Sequence, residues 1–545
     1  MSSVPTPHEG PTTGEPPSDF VPRLGLFDST MLVVGTMIGS GIFIVSASMA
    51  RDLGSSGWLI AAWVLTGVIT IMGALSYAEL AAMMPHAGGQ YVYLREAFSP
   101  LWAFLYGWTL FLVIQTGSIA AVAVAFAKFL GVLIPALGVD PKAGAMVLVH
   151  FQFADLVNVS LPLPWLKEPL TIFQRNEFVI SAGHVVAVAV TALLTWVNCV
   201  GVREGKWIQN VFSVTKTAGL ALVIVVGLAM ATDQRAISQN LDNAWGGISA
   251  TEQFRHVTDL VGRSGFGVAL MVLGGSLVGS LFSADAWNNV TFTAGEVKNP
   301  RRNLPLSLAA GTIIVIVLYI LANLAYLAAL PVRGDPIAAQ PLREAGKVSE
   351  AIFHEGIDHA LDDRVAAAVM ARAWPDFGLL FIAVAVMIST FGCINGMILM
   401  GARLYYAMAQ DRLFFRSVGK LNRRGVPAAG LVLQGIWSVL LIFSGTYSEL
   451  LDYVIFAALL FYALTVTGLF VLRRTRPDAT RPYRVIGYPV IPAIYIFLCL
   501  VIMFDLLIVK PEYTWPGLII VATGIPVYFV WRSMGKERRA KRASS

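Results

Sequence analysis

At 545 residues, 56% of them hydrophobic and only 13% charged, the chain is too apolar for a soluble globular protein, in which about a quarter of residues carry charge. The net charge of +6 does not mark a nucleic-acid binder, because Lys and Arg gather in short segments between and after apolar runs. The 3 cysteines, Cys199, Cys393 and Cys499, all fall within apolar runs, which excludes a disulfide framework and a cysteine-based zinc site.

In chain order, residues 1–25 are rich in Pro, Ser and Thr and read as a disordered tail with no cleavable signal peptide. Apolar runs of about 20 residues then follow one another, too long for strands and long enough to cross a bilayer as helices. Twelve spans are predicted, at about 26–48, 57–84, 101–131, 178–200, 207–231, 264–292, 303–330, 378–409, 427–445, 450–472, 488–509 and 515–532. The first carries its own targeting information.

The first span holds Gly35-Thr36-Met37-Ile38-Gly39-Ser40-Gly41-Ile42-Phe43. Glycine costs a helix about 1 kcal/mol relative to alanine, so Gly39 and Gly41 around Ser40 predict a break at membrane depth. Bare backbone there is tolerated only where it is buried in protein or lines a cavity, and a helix N-terminus suits a carboxylate. The rival reading is packing, since Gly35-x-x-x-Gly39 is also a small-residue pattern for close helix approach.

With the N-terminus placed in the cytoplasm, Lys and Arg concentrate on that side, notably at 412–424, 473–484 and in the tail 536–542. The twelve spans return the C-terminus to the same side. The basic tail, 533–545, is also suited to anionic lipid headgroups. The three long loops, 132–177, 232–263 and 331–377, fall outside. The last contains Asp362, Asp363 and Asp376 and is expected to form short surface helices.

The sixth span contains Gly274-Gly275, Gly279 and then Phe282-Ser283-Ala284-Asp285-Ala286-Trp287-Asn288-Asn289. An aspartate within a span is costly and calls for a partner or a wet cavity. Spans 1 and 6 occupy equivalent places if spans 1–5 and 6–10 form two halves, and five being odd, the halves are inverted. Broken helices at matching places of inverted halves are a pointer to a transporter site. Together, amides from span 1 and carbonyls near Phe282 and Ser283 describe a site for an α-amino acid zwitterion.

Four segments carry a resemblance. They are the span 1 run; Ser76-Tyr77-Ala78-Glu79-Leu80 with Met84-Pro85-His86-Ala87-Gly88-Gly89-Gln90-Tyr91; the span 6 patch with Gly295-Glu296-Val297-Lys298-Asn299-Pro300-Arg301-Arg302-Asn303-Leu304-Pro305; and Asn395-Gly396 with Gly401-Ala402-Arg403-Leu404-Tyr405-Tyr406. In order and spacing, over residues 26–430, these resemble the amino acid–polyamine–organocation (APC) transporter superfamily, and within it the L-type amino acid transporters and their bacterial relatives.

The resemblance implies an all-α membrane protein of 12 transmembrane helices: a five-plus-five inverted repeat with broken helices 1 and 6, and two trailing helices. The transport core spans 26–472, with repeats at 26–231 and 264–472, and the trailing spans occupy 488–532. It further implies that Ser40, Gly41 and Ile42 offer amides to the substrate carboxylate. Met37 and Ile38 offer carbonyls, Phe282 gates the site, and Ser283 and Asp285 meet the amino group. Lys216, inside span 5, is implied to link spans 1, 5 and 8 where sodium-coupled relatives hold Na⁺, which predicts sodium-independent transport and leaves proton coupling open.

Asn395 and Ser389-Thr390 on span 8 are either cavity residues or helix–helix contacts, as are Gln115, Thr116 and Ser118 on span 3. Glu79 reads as half of a structural ion pair, with Arg403 as its candidate partner. Glu296, Lys298 and Arg301 form either an inner-gate network or a topology signal. Animal light-chain members of the family bond a glycoprotein through a cysteine between spans 3 and 4. Residues 132–177 contain none, so no disulfide-linked heavy chain is expected.

Hydrolytic and nucleotide-binding motifs are missing from the sequence, so an enzyme or an ATP-driven pump is disfavoured, and no cofactor or metal is called for. The expectation is a multi-pass inner- or plasma-membrane carrier with both termini cytoplasmic. It moves amino acids by alternating access, as exchanger or proton-coupled carrier. A polyamine or amine carrier of the same fold is the first rival, kept open by Asp285. A channel or a non-transporting receptor is the second.

Overall fold

A computed structural model describes residues 22–161, 170–201, 205–375, 377–443 and 447–543. Most of the expected N-terminal tail (residues 1–21), Asp376 and the last two residues lie outside the described residues.

The first span is two helices, α1 (Leu26–Met37) and α2 (Gly41–Leu53). After them come α3 (Ser56–Met83), α4 (Gln90–Ala97), α5 (Pro100–Thr109) and α6 (Gln115–Leu133). A π-helical turn, Leu110–Ile114, joins α5 to α6. Then follow β1 (Val147–Leu161), β2 (Leu170–Ser181), α7 (Ala182–Val200), α8 (Gly205–Ala229), α9 (Arg235–Asp242), α10 (Glu252–Val261) and α11 (Phe266–Ser283). A 3₁₀ segment, Trp287–Glu296, leads to α12 (Pro300–Ala329). The second part of the chain holds α13 (Pro336–Glu344), α14 (Val348–Glu355), α15 (Val365–Ala373), α16 (Phe377–Gln410), α17 (Ala428–Ile442), α18 (Tyr447–Thr475), α19 (Val490–Val509) and α20 (Pro511–Ala543).

Among the described residues, eleven helical segments are long and apolar enough to cross a membrane. The ninth expected span is the shorter α17, whose 15 residues rise about 22 Å against a hydrocarbon core of about 30 Å. Spans in equivalent places of the two expected halves pack on one another. Helix α3 lies along α12, α6 along α16, and α1 beside the 3₁₀ segment of span 6. The two breaks therefore meet in the middle of the bundle.

The loop between spans 3 and 4 is not irregular. Strands β1 and β2 form an antiparallel hairpin against α7 and α20, with register shifts between Gln152 and Val157 and between Val159 and Ser160. The loop 331–377 holds three short helices, but α15 is no surface helix: Val365, Ala366, Val369 and Met370 are fully buried against α2, α8 and α16.

Candidate functional site

Helix α1 stops where the backbone turns extended at Ile38 (ψ 91°), and α2 begins afresh at Gly41. The first amides of a helix have no partner within it, so the Gly41 and Ile42 N–H groups are presented at the break. Packing enforces the glycine. A Cβ on Gly41 would fall 2.2 Å from Ser283 Oγ and 3.0 Å from Ser283 Cα, so the two broken spans touch backbone to backbone here. Gly35 and Gly39 serve the packing role instead. A Cβ on Gly35 would collide with Ser213 and Gln209 of α8, and one on Gly39 would sit 3.2 Å from Cys393 Sγ of α16. The run thus serves both purposes.

The second break is built differently. Helix α11 runs through Gly274, Gly275 and Gly279 without interruption and ends at Ser283. The chain then opens over Ala284-Asp285-Ala286, and Ala286 takes a left-handed φ of 65°. Side chains hold this turn. The Thr36 hydroxyl lies within reach of Ala286 O (3.2 Å) as well as of Leu32 O (2.9 Å) and Val33 O (3.1 Å), and the Tyr319 hydroxyl reaches both Met37 O (2.9 Å) and Ser283 O (3.0 Å), each serving one acceptor at a time with its single hydrogen. Tyr462 of α18 donates to Asp285 Oδ1 at 2.5 Å.

Between the breaks lie two small adjoining cavities, with Ser118, Asp285, Ala286 and Met397 common to their walls. One is bounded by the glycine run, with Met37, Ser40, Gly41, Phe282 and Ser283. The other extends along α5 and α6 past Tyr106, Leu110, Ile114 and Gln115 to Tyr462. The π-helical turn lies in this second wall. Within it the Leu112 carbonyl accepts from Trp437 Nε1 at 2.9 Å.

Six sequence-predicted residues, Met37, Ser40, Gly41, Phe282, Ser283 and Asp285, are brought to the cavity wall. Ile38 and Ile42 flank it without lining it. The Ile38 carbonyl is occupied by Lys216 Nζ (2.9 Å) and Ser389 Oγ (3.2 Å), the Ile42 carbonyl by the Tyr326 hydroxyl (3.2 Å), and the Met37 carbonyl by Tyr319. Asn395 is not at the cavity. Its Oδ1 accepts from Asn198 of α7 at 2.8 Å, which is the helix–helix contact. Cys393 and Met397 are the span 8 residues that line the site. On span 3, Gln115 and Ser118 line it, whereas Thr116 bonds back to Phe111 O.

Lys216 is 1% exposed at the seam of spans 1, 5 and 8. Its three N–H groups meet three carbonyls: Gly35, Ile38 and Ser389, the last at 3.4 Å. Sequence reasoning gave no role to Tyr462, whose one hydroxyl hydrogen serves Asp285 Oδ1 (2.5 Å) with Asn288 Oδ1 the longer alternative (3.4 Å), or to Asn288, which donates to Gln90 Oε1 (2.9 Å), itself bonded through Nε2 to Thr465 (3.0 Å). The polar residues Tyr462 and Thr465 one turn apart in an apolar span were the available signal.

At the end of the bundle that carries the N-terminus, the ion pairs differ from expectation. Glu79 is fully buried, bonds Arg473 (2.6 Å) and the Val485 amide, and has Arg481 at ion-pair distance (3.5 Å); Arg403 is not its partner. Arg403 pairs with Glu296 at 2.9 Å. Beside that pair the segment before α1 is stitched to the exit of span 6. Arg23 and Leu24 donate to Glu296 O, and Lys298 N donates to Leu24 O. At the opposite end, Arg235 bridges Asp233 and Glu350, and its hydrogen bonds hold the Asp233 carboxyl down at about 2 and that of Glu350 below its ordinary value.

Comparison with known proteins agrees with this architecture. The sequence model described as amino acid permease matches residues 24–530. The b(0,+)-type amino acid transporter 1 of Mus musculus is 28% identical over 512 residues, covering 93% of this chain and 88% of the relative. Large neutral amino acids transporter small subunit 2 of Homo sapiens is 29% identical over 510 residues, covering 93% and 80%.

Proposed function

The chain belongs to the amino acid permease family, and we propose that it is a sodium-independent secondary transporter of α-amino acids, working by alternating access in the cytoplasmic membrane with both termini inside. The observation that carries this reading is the meeting of the two breaks. The N-terminus of α2 presents amides suited to a carboxylate, and the C-terminal end of α11 presents carbonyls suited to an ammonium, both on one narrow cavity. The substrate's α-carbon would lie between them, with Phe282 over it and the side chain directed into the second cavity. Glu296 with Arg403, and Lys298 and Arg301 beside them, form the inner gate in this reading.

Sodium independence is supported by Lys216. Its ammonium sits on carbonyls of spans 1 and 8, and a fixed positive charge there does electrostatically what a bound cation would do. The cycle then runs as exchange or with protons. The second reading, a carrier of amines that lack a carboxylate, draws on Asp285, whose carboxyl lines both cavities.

The test is uptake of a labelled panel of amino acids and amines into proteoliposomes, with and without internal substrate, Na⁺ and a pH gradient. Amino acid uptake stimulated by internal amino acid and indifferent to Na⁺ is the expected result. Accumulation that requires Na⁺ overturns the role given to Lys216, and uptake confined to amines overturns the role given to Gly41.

A further inference from the structure

Asp505 is the carboxyl group within α19, and the site does not use it. It lies one turn before the end of α19 and is 8% exposed, and its Oδ2 has no hydrogen-bond partner among the described residues. It faces α11 at the one place where that helix has no side chain. A Cβ on Gly274 would fall 2.2 Å from Oδ2 and 2.9 Å from Cγ, so the carboxyl rests directly on α11 backbone. Two residues on, Ser276 Oγ donates to Asp52 Oδ2 of α2 at 3.2 Å. The half-helix that carries Phe282 is therefore seated between two carboxyl groups, one hydrogen-bonded to it and one not.

We propose that Asp505 is a proton-binding site whose occupancy is linked to the seating of α11 on α19, so that a proton taken up from the outer face favours the enclosed cavity. An unpaired buried charge is costly and an ionisable group so placed neutralises instead. Prying α11 away from α19 opens the Gly274 contact to water, where the ionised form is again tolerated. Closure thus takes up one proton and opening releases it.

The surroundings add little charge. Helix α11 has no titratable residue, and on α3 the only ones are Tyr77 and Glu79, in its last two turns. On α19 itself Tyr495 and Cys499 lie further inward. Helix α2 supplies Asp52, Lys510 follows α19, and on α18 Tyr462 is committed to Asp285. The side chains of Glu449, Asp452, Tyr453, Glu512 and Tyr513 at the starts of α18 and α20 lie outside the described residues.

For its transport readout the inference rests on the function proposed above. The test is substrate exchange in proteoliposomes at fixed internal pH, with external pH varied from about 5.5 to 8.5, for the wild type, Asp505→Asn and Asp52→Asn. The wild type should show an external KM that rises about threefold or more with pH, because fewer molecules hold α11 seated. Asp505→Asn, which mimics the neutral acid, should keep the low KM throughout, and Asp52→Asn should follow the wild type. A wild-type pH profile in Asp505→Asn, or its loss in Asp52→Asn alone, overturns the proposal.

Thermal unfolding in detergent separates this outcome from failure of the substrate assignment. A carboxyl held neutral only in the folded state contributes stability that is lost as pH rises. The wild-type midpoint should therefore fall relative to that of Asp505→Asn between the same pH values, whatever the solute carried. Parallel midpoints overturn the proposal.

Discussion

The two breaks at the centre of this protein do the same job with different materials. In span 1 the interruption is written in glycine, and the neighbours exploit the missing side chains: Ser283 fills the space at Gly41, Cys393 that at Gly39, and Ser213 and Gln209 that at Gly35. In span 6 no glycine stands at the interruption. Ala286 accepts a left-handed φ, and the turn is held by hydroxyls arriving from elsewhere, Thr36, Tyr319 and Tyr462. A break made by local composition is rigid in its requirements at one residue. A break made by distant side chains spreads its requirement over several.

That difference sets an order of sensitivity. The largest effect is expected at Gly41. Gly41→Leu drives a side chain into Ser283 backbone and should cut uptake by about a hundredfold or more, while size-exclusion chromatography still shows a monodisperse protein. Undiminished uptake would break the comparison at its root.

Lys216→Ala comes next. It takes the ammonium away from the carbonyls of Gly35, Ile38 and Ser389 and unties spans 1, 5 and 8 at their seam, and initial uptake rates should drop by at least about tenfold. Tyr319→Phe takes one hydroxyl from the two carbonyls that face each other across the breaks. It should lower the thermal midpoint and slow exchange severalfold, which would show how much of the second break depends on one distant group. The smallest effect is a gain. Ala286→Gly relieves a left-handed alanine and should stabilise the fold by about 1 kcal/mol in thermal unfolding, with uptake retained. A loss of stability there would mean that the turn needs a side chain after all.

The same contrast explains how much could be read before the fold was known. The span 1 break was legible because glycine at Gly39 and Gly41 is a local signal. The span 6 glycines pointed slightly wrong. Gly274, Gly275 and Gly279 accommodate Asp505, Val509 and Val45 within an intact helix, and the opening lies beyond them at Ala284–Ala286. The alternation of Val149, Phe151 and Phe153 with His150 and Gln152 was a strand signal in a segment taken for a loop. Pairings were the least legible. Glu79 bonds Arg473, not Arg403, and Asn395 bonds Asn198, not the cavity, because partners 394 and 197 residues apart leave no trace in local pattern.

The stitch between Leu24 and Val297 has one more consequence. Its bonds run from main chain to main chain, so substitution of the side chains around it leaves the donors and acceptors in place. Only a proline or a deletion can remove it. Fusion partners and tags are therefore best attached well ahead of Arg23, and a shortened form beginning after Leu24 would lose a fastening that no compensating point change elsewhere in the chain could restore.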